Sequence, residues 1–442
     1  MRRTDVAIIG AGQAGLATSY CLSALGVEHV VLERGQVGQR WRVDRWPSLT
    51  LLTPNWQSRL PGFRYDGPDP DGYMGVADVV GFLERYARLA RAPIEPRSPV
   101  LRVEPGPGGY IVRTGRGAWH AAHVVIATGY SDLPLVPAAA RRLPPDVLQI
   151  TPGDYRGPDH LPPGGVLVVG AGASGVQLAD EIQASGRQVT LAVGRHLRLP
   201  RVYRGRDILW WLDAMGVLNE RVDQVANIEV SRAQPSLQLV GRHDRATLDL
   251  GALLARGVRL AGRLLSTDDG RLCFDDDLVG TVAAADVKLA GLLGRIDAFI
   301  DRTQPGEVRE AGPFVPCWPM VIQNETRTLD LKAERIRTVV WATGFKRRYP
   351  WLKVPVLDAR GEIRHSGGVT PAPGLFVVGL QFQRTRKSAF IDGVGEDAAF
   401  IARRIARGLP REPSRKLQVR FAASRPGDMI PEQSFPERHP LP

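Results

Sequence analysis

Two stretches of the chain repeat one pattern of apolar and polar positions. A short unbroken apolar run leads into a glycine-rich turn, then a helix-period stretch, then a second apolar run. In the first copy, residues 5–9 (DVAII) predict a buried strand, and Gly10-Ala11-Gly12-Gln13-Ala14-Gly15 forms the turn. A helix follows from Ala14 to about Leu25, stopped at Gly26, and residues 29–33 (HVVLE) form a second strand ending in Glu33. The second copy begins 160 residues later. There VLVV (166–169) is the strand, Gly170-Ala171-Gly172-Ala173-Ser174-Gly175 the turn, Val176–Ala184 the helix and QVTLAV (188–193) the closing strand.

Between the copies, residues 94–165 are rich in Pro and Gly and predict mixed strands, with a hairpin near Pro105–Gly109 and a strand at 122–129. Residues 205–225 and 278–302 read as helices, the latter with a stripe of Leu, Val and Ile. Two strands end in the same triplet: Ala127-Thr128-Gly129 and Ala342-Thr343-Gly344. A further strand at 374–380 and a helix beginning near Asp392 complete the pattern, and a proline- and charge-rich tail follows. The expected architecture is α/β, with two Rossmann-like dinucleotide-binding domains arranged as in glutathione reductase. Residues 1–160 plus 330–405 are expected to form the domain of the first unit, 161–329 an inserted domain of the second unit with a helical insertion, and 406–442 an extended tail.

The spacing G-x-G-x-x-G between strand and helix carries chemistry. The first glycine makes the tight turn, the second lets backbone approach a pyrophosphate, and the third lets helix pack on strand. The helix N-terminus then faces the phosphates. Gly10, Gly12, Gln13, Ala14 and Gly15 are thus candidate contacts. Glu33, 23 residues after Gly10, is placed to accept both ribose hydroxyls of an adenosine, with Arg34 beside it. The second copy (Gly170, Gly172, Ser174, Gly175) ends its strand in Val193-Gly194-Arg195 with no carboxylate. An arginine there pairs with a ribose 2′-phosphate. So the first unit predicts FAD and the second NADPH, with Arg198, Arg201, Arg204 and Arg206 as further cations nearby. Thr128, Gly129, Ala342, Thr343 and Gly344 are expected close to the two dinucleotides.

Composition narrows the class. Apolar residues are 43% and charged residues 24%, ordinary for a globular chain of 442 residues. The net charge of +12 reflects arginines interleaved with acids; only six residues are lysine, and no dense basic block argues for nucleic acid. Cys21, Cys273 and Cys317 form no C-x-x-C pair, which excludes a dithiol centre built on adjacent cysteines. His120, His123 and His160 lack metal-ligand spacing. No apolar run is long enough for a membrane span, and a cytoplasmic location is expected.

Beyond the glycine units, residues 5–400 resemble the class B flavin-dependent monooxygenases. Val37-Gly38-Gln39-Arg40-Trp41 is similar to that family's G-G-x-W segment, and Leu49-Thr50-Leu51-Leu52-Thr53-Pro54-Asn55 to the stretch that runs under the isoalloxazine. The resemblance implies cofactor contacts from Arg40, Trp41 and Thr53, and a catalytic role for Asn55 near flavin C4a. It implies an NADPH- and O2-dependent enzyme that oxygenates a small nitrogen, sulfur or carbonyl compound through a C4a-(hydro)peroxyflavin. One segment departs: where the family signature has histidine, this chain has Thr151, followed by Tyr155. The Baeyer–Villiger subclass is therefore not supported.

Two alternatives stand beside that reading. One is an FAD-dependent NADPH oxidoreductase or oxidase without oxygen insertion; the other is a non-catalytic nucleotide-sensing subunit. The expected partners are a small-molecule substrate and O2, with a possible homodimer through helix 278–302. Trp210, Trp211, Trp318 and Phe382 are candidate cavity aromatics, with core packing as the competing role.

Overall fold

The computed structural model describes residues 1–235, 237–303, 322 and 326–409. Cys317, Trp318 and the tail from residue 410 lie outside the described residues. Residues 1–406 form one compact unit built on two main sheets, the first mixed and the second parallel.

The first sheet grows from β1 (Arg2–Ile9), whose last residues are fully buried. Helix α1 (Gln13–Ala24) leads to β2 (His29–Leu32), which pairs parallel with β1 in the register Ile8↔Val31. Beyond β2 lies β3 (Ile94–Glu95). A meander of β4 (Val100–Gly106), β5 (Gly109–Thr114) and β6 (Gly117–Ile126) follows, and β6 pairs parallel with β1 on its other edge. β1 starts three residues earlier than the apolar run suggests, because Arg2, Arg3 and Thr4 extend the ladder opposite Trp119, His120 and Ala121.

The second sheet has the order β7 (Leu148–Ile150), β11 (Ile336–Trp341), β8 (Gly165–Val169), β9 (Val189–Ala192) and β10 (Arg259–Ala261). Helix α2 (Ala173–Ala184) connects β8 to β9. Its buried side packs Val176, Leu178, Ala179 and Ile182 against Val166, Val168 and Leu191. Each such aliphatic contributes about 1.5–3 kcal/mol when fully buried. Helix α3 (Leu278–Thr303) lays Leu289, Leu293 and Ile296 on Leu209, Trp211 and Leu212.

Two boundaries differ from the sequence expectation. Residues 336–341 belong to the second sheet, not to the segment that rejoins the first from residue 330, and residues 148–150 also lie in the second sheet. The reason is edge pairing: a run as buried as β11 needs a neighbour on both sides, and β7 and β8 supply them. The chain returns to the first sheet at β12 (Leu375–Val377), which pairs with β6. Helix α4 (Val394–Gly408) follows. The stretch 205–225 is also not one helix. Asp207 caps a helix at Ile208–Ala214, and Gly216 at φ +72° breaks it into short 3-10 turns. Among the described residues no helix is long and apolar enough to cross a membrane.

Candidate active site

The first glycine turn is shaped by a close approach of two strand ends. Gly10 has φ +107°, and a Cβ there would lie 2.8 Å from the Ala127 carbonyl oxygen. A Cβ on Gly15 would overlap the Gly10 carbonyl. Gly12 is different: a Cβ there would meet nothing within 4 Å, and the residue lines a cavity of about 420 Å³. The first amides of α1 open toward that space. Glu33, 5% exposed, stands on the same wall, its two oxygens accepting the Ala11 N–H at 2.7 Å and the Gly35 N–H at 2.9 Å. Each oxygen keeps a lone pair for a ribose hydroxyl. An open cradle at a helix N-terminus beside a fixed carboxylate fits the adenosine diphosphate half of FAD.

Gln13, Ala14, Arg34, Arg40, Trp41, Thr53, Thr128 and Gly129 line this same cavity. Arg34 pairs with Asp44 at 3.2 Å. Arg40 reaches across to the loop after β6, pairing with Asp132 at 2.5 Å and donating to the Thr128 and Ser131 carbonyls. It therefore fixes the loop that forms the cavity's edge.

The second turn repeats the geometry. Gly170 also has φ +107°, and a Cβ there would run into the Ala342 carbonyl; one on Gly175 would run into Gly170. Gly172, Ser174, Ala342 and Gly344 line a second, larger cavity of about 1150 Å³. Gly170 and Gly175 support the turn from behind. Thr343 turns its hydroxyl to the Leu135 carbonyl and lines neither cavity. Arg195 is exposed at the end of β9 and also lines neither. Its neighbours are engaged elsewhere: Arg198 bridges Asp249 and Asp286, Arg201 pairs with Asp207, and Arg204 with Asp297.

The cavities share a wall of Trp41, Arg45, Leu51, Leu52, Thr53, Tyr130, Ser131, Ala389 and Phe390. The strip 50–53 is held from the second body. Arg201, 1% exposed, donates to the Leu52 carbonyl at 2.7 Å while paired to Asp207 at 2.5 Å, and Tyr73 caps that pair from its hydroxyl at 2.8 Å. Gln177 donates to the Thr50 hydroxyl at 2.9 Å, which in turn donates to the Gly241 carbonyl. A buried ion pair that loses one member leaves an uncompensated charge, so this node is a rigid mount.

The resemblance places Asn55 near flavin C4a. It is 5% exposed and lines neither cavity, and its amide donates to the Asp69 carbonyl at 2.8 Å. The short 3-10 turn Asn55–Gln57 folds it back toward residues 69–72. Thr151 likewise closes a local turn, its amide and hydroxyl both donating to Asp154. Tyr155 is fully buried and donates to Glu181 at 3.2 Å. Of the candidate aromatics, Trp211 is core and donates to the Tyr203 carbonyl, and Trp210 packs beside it. Phe382 does line the larger cavity, at a left-handed φ of +42°. Arg45 carried no signal in the sequence beyond being one among many arginines, and Arg201, expected among the cations near the second dinucleotide, instead anchors the strip 50–53.

Residues 7–226 match the sequence profile of the pyridine nucleotide-disulphide oxidoreductases. The chain is similar to the uncharacterized oxidoreductase CzcO-like of Geobacillus kaustophilus, at 32% identity over 90% of this chain and 97% of that one. It belongs to the CzcO-like oxidoreductases. It is also similar to the indole-3-pyruvate monooxygenase YUCCA1 of Oryza sativa, at 26% identity over 90% of each chain. The flavin-containing monooxygenase from Stenotrophomonas maltophilia has the same fold, with a TM-score of 0.65 at 19% identity over 92% of this chain and 99% of that one. This CzcO-like chain is thus an oxidoreductase whose two glycine turns form cradles of the shape that dinucleotide cofactors fit.

Proposed function

We propose that the chain is an NADPH-dependent monooxygenase that inserts one atom of O2 into a small nitrogen, sulfur or carbonyl compound. The observation that supports this most is the shared wall: two dinucleotide cradles, built on separate sheets, open onto cavities that meet at Trp41, Leu51–Thr53, Tyr130 and Phe390. In this reading Gly10–Gly15 and Glu33 hold FAD, and Gly172 and Ser174 hold the NADPH pyrophosphate. Reduced FAD supplies oxygen activation at its C4a carbon, chemistry no side chain performs alone.

The chain's own residues set the conditions for that chemistry. Leu51 and Leu52 present apolar surface to both cavities and keep water from the meeting point. Arg201 and Gln177 keep the strip in place, so the wall needs no reorganisation when the chamber fills. Arg195 is the residue proposed to select the 2′-phosphate from the open end of β9. A homodimer through the outer side of α3, where Val287 is exposed, belongs to the same proposal.

The test is oxygen bookkeeping on FAD-loaded protein under 18O2, with NADPH and a panel of amines, thioethers and ketones. A product enriched by one 18O atom, with less peroxide than NADPH consumed, supports the reading. Peroxide equal to NADPH for every compound replaces it with an NADPH oxidase.

A further inference from the structure

Arg45 stands where both cavities meet, and no carboxylate among the described residues lies within ion-pair distance of its guanidinium. Its guanidinium is half-buried, 5.5 Å from the Trp41 ring centre and 5.4 Å from that of Phe345. Its one hydrogen bond to protein is to the carbonyl of Asp44, at 2.9 Å. The Asp44 carboxylate itself turns to Arg34 and Arg40, and no carboxylate among the described residues pairs with Arg45. Partial burial pushes the guanidinium below its ordinary range, against the opposing pull of Tyr130 and of the neighbouring Asp44 charge. A partly desolvated cation without an ion-pair partner carries a cost that an anionic ligand would offset.

The rest of the larger cavity points the same way. Its wall carries Arg45, Arg198, Arg232, Lys288, Arg295 and Arg386 against one carboxylate, Glu220. Glu220 is paired with Arg386, and Arg198 is neutralised by Asp249 and Asp286. Arg232 donates from Nε and Nη2 to the Phe382 carbonyl, and no carboxylate among the described residues lies within ion-pair distance of it. The remaining lining is largely apolar, with Leu197, Leu199, Leu239 and Leu292 among it. Such a chamber favours a molecule with an apolar body and an anionic end.

We propose that Arg45 is the docking point for an oxyanion on the substrate, so that the chamber takes apolar carboxylates in preference to neutral analogues of the same shape. The dinucleotide is the other source of oxyanions. Its pyrophosphate already has the second glycine turn and the N-terminus of α2, whereas Arg45 sits with Leu51–Thr53 on the wall common to both cavities. The flat guanidinium suits a carboxylate through two parallel N–H···O bonds, with the two rings shielding it from water. The proposal rests on the monooxygenase reading for the word substrate, but the binding site stands or falls without turnover.

The experiment is equilibrium titration of FAD-loaded protein, read by tryptophan fluorescence and flavin absorbance. The probes are benzoate, phenylacetate, 3-phenylpropionate and 4-phenylbutyrate, each against its primary amide, with NADP+ titrated separately. At least one acid is expected to bind about tenfold or more tighter than its amide, the scale of one charged hydrogen-bonded contact. Arg45→Gln should erase that preference, leave the amide's affinity within about twofold and leave NADP+ binding unchanged; Arg45→Lys should restore part of the preference. If no acid outbinds its amide in the wild-type protein, the proposal is wrong, and this arm needs no variant to fold. If Arg45→Gln instead weakens NADP+ by tenfold and spares the acids, the oxyanion belongs to the dinucleotide and the substrate assignment falls. Neither result depends on whether oxygen is inserted into product, so a failed 18O experiment would leave the Arg45 result readable.

Discussion

The carbonyl oxygen of Ala127 lies 2.8 Å from the point a Gly10 Cβ would occupy. That approach ties the first A-T-G triplet to the first glycine turn, and Gly170 against Ala342 repeats it in the second body. Gly12, two residues on, has free space instead. The two glycines therefore fail differently. Gly10→Ala combines a strained φ of +107° with a backbone overlap and should cost about 2–4 kcal/mol, seen as a lower melting temperature of the apoprotein. Gly12→Val should leave apoprotein stability nearly unchanged and abolish FAD retention, seen as colourless protein. Equal melting losses for both variants would contradict this division.

Glu33 supplies a second test of the same cradle. Glu33→Gln keeps the shape but removes the charge that the Ala11 and Gly35 amides now stabilise. FAD affinity is expected to fall by about 1.5–3 kcal/mol, roughly 10- to 150-fold, with NADP+ binding unaffected. Flavin release on dilution measures it.

Asn55→Ala should act on stability alone. Losing the amide removes its 2.8 Å hydrogen bond to the carbonyl of Asp69, an exposed residue that water can reach, a loss of about 0.5–1.5 kcal/mol. FAD content and the ratio of peroxide to NADPH should stay at wild-type values. A rise in peroxide yield with unaltered melting would put Asn55 back beside the flavin.

What the chain showed before folding follows from local rules. The two glycine turns, Glu33 and the A-T-G ends were legible because each needs a particular residue at a particular backbone position. The edge partners of β11 were not, since a buried apolar run pairs equally well in either sheet; only the free edge of β8 decided it. Leu51–Thr53 line the cavities, whereas the 3-10 turn that begins at Asn55, two residues after Thr53, reverses the chain's direction. Arg45 was invisible among 52 arginines, and Arg201 showed only as a cation following the second unit; their meaning lies in contacts with residues up to 300 positions away.

Asp397 predicts a pH dependence. It is fully buried in the first turn of α4, and burial pushes its carboxyl up to about 7, against the opposing pull of Ser388 and of Arg384 at 3.7 Å. Its folded value thus lies above its unfolded one, so the folded state binds the proton more tightly. The stability it confers is present below about pH 4 and is lost as pH rises toward 7. Asp397→Asn, which mimics the neutral acid, should match wild-type stability near pH 4 and exceed it at pH 8. Denaturant midpoints at the two pH values decide it.

Arg195→Ala should reduce the preference for NADPH over NADH by about 10- to 150-fold while leaving NADH use nearly unchanged. The ratio of kcat/KM values for the two dinucleotides is the readout. An unaltered ratio would assign the 2′-phosphate to another residue, and Arg198, Arg201 and Arg204 are already held by carboxylates.

The central claim is that the meeting of the two cavities serves oxygen insertion. Mass spectrometry of product formed by the FAD-loaded protein with NADPH under 18O2 tests it most directly, using the aryl carboxylate that binds best and carries an oxidisable sulfur or nitrogen. The account predicts product heavier by one 18O atom, in an amount that accounts for most of the NADPH consumed. Unlabelled substrate recovered whole, with one peroxide for each NADPH, would contradict it.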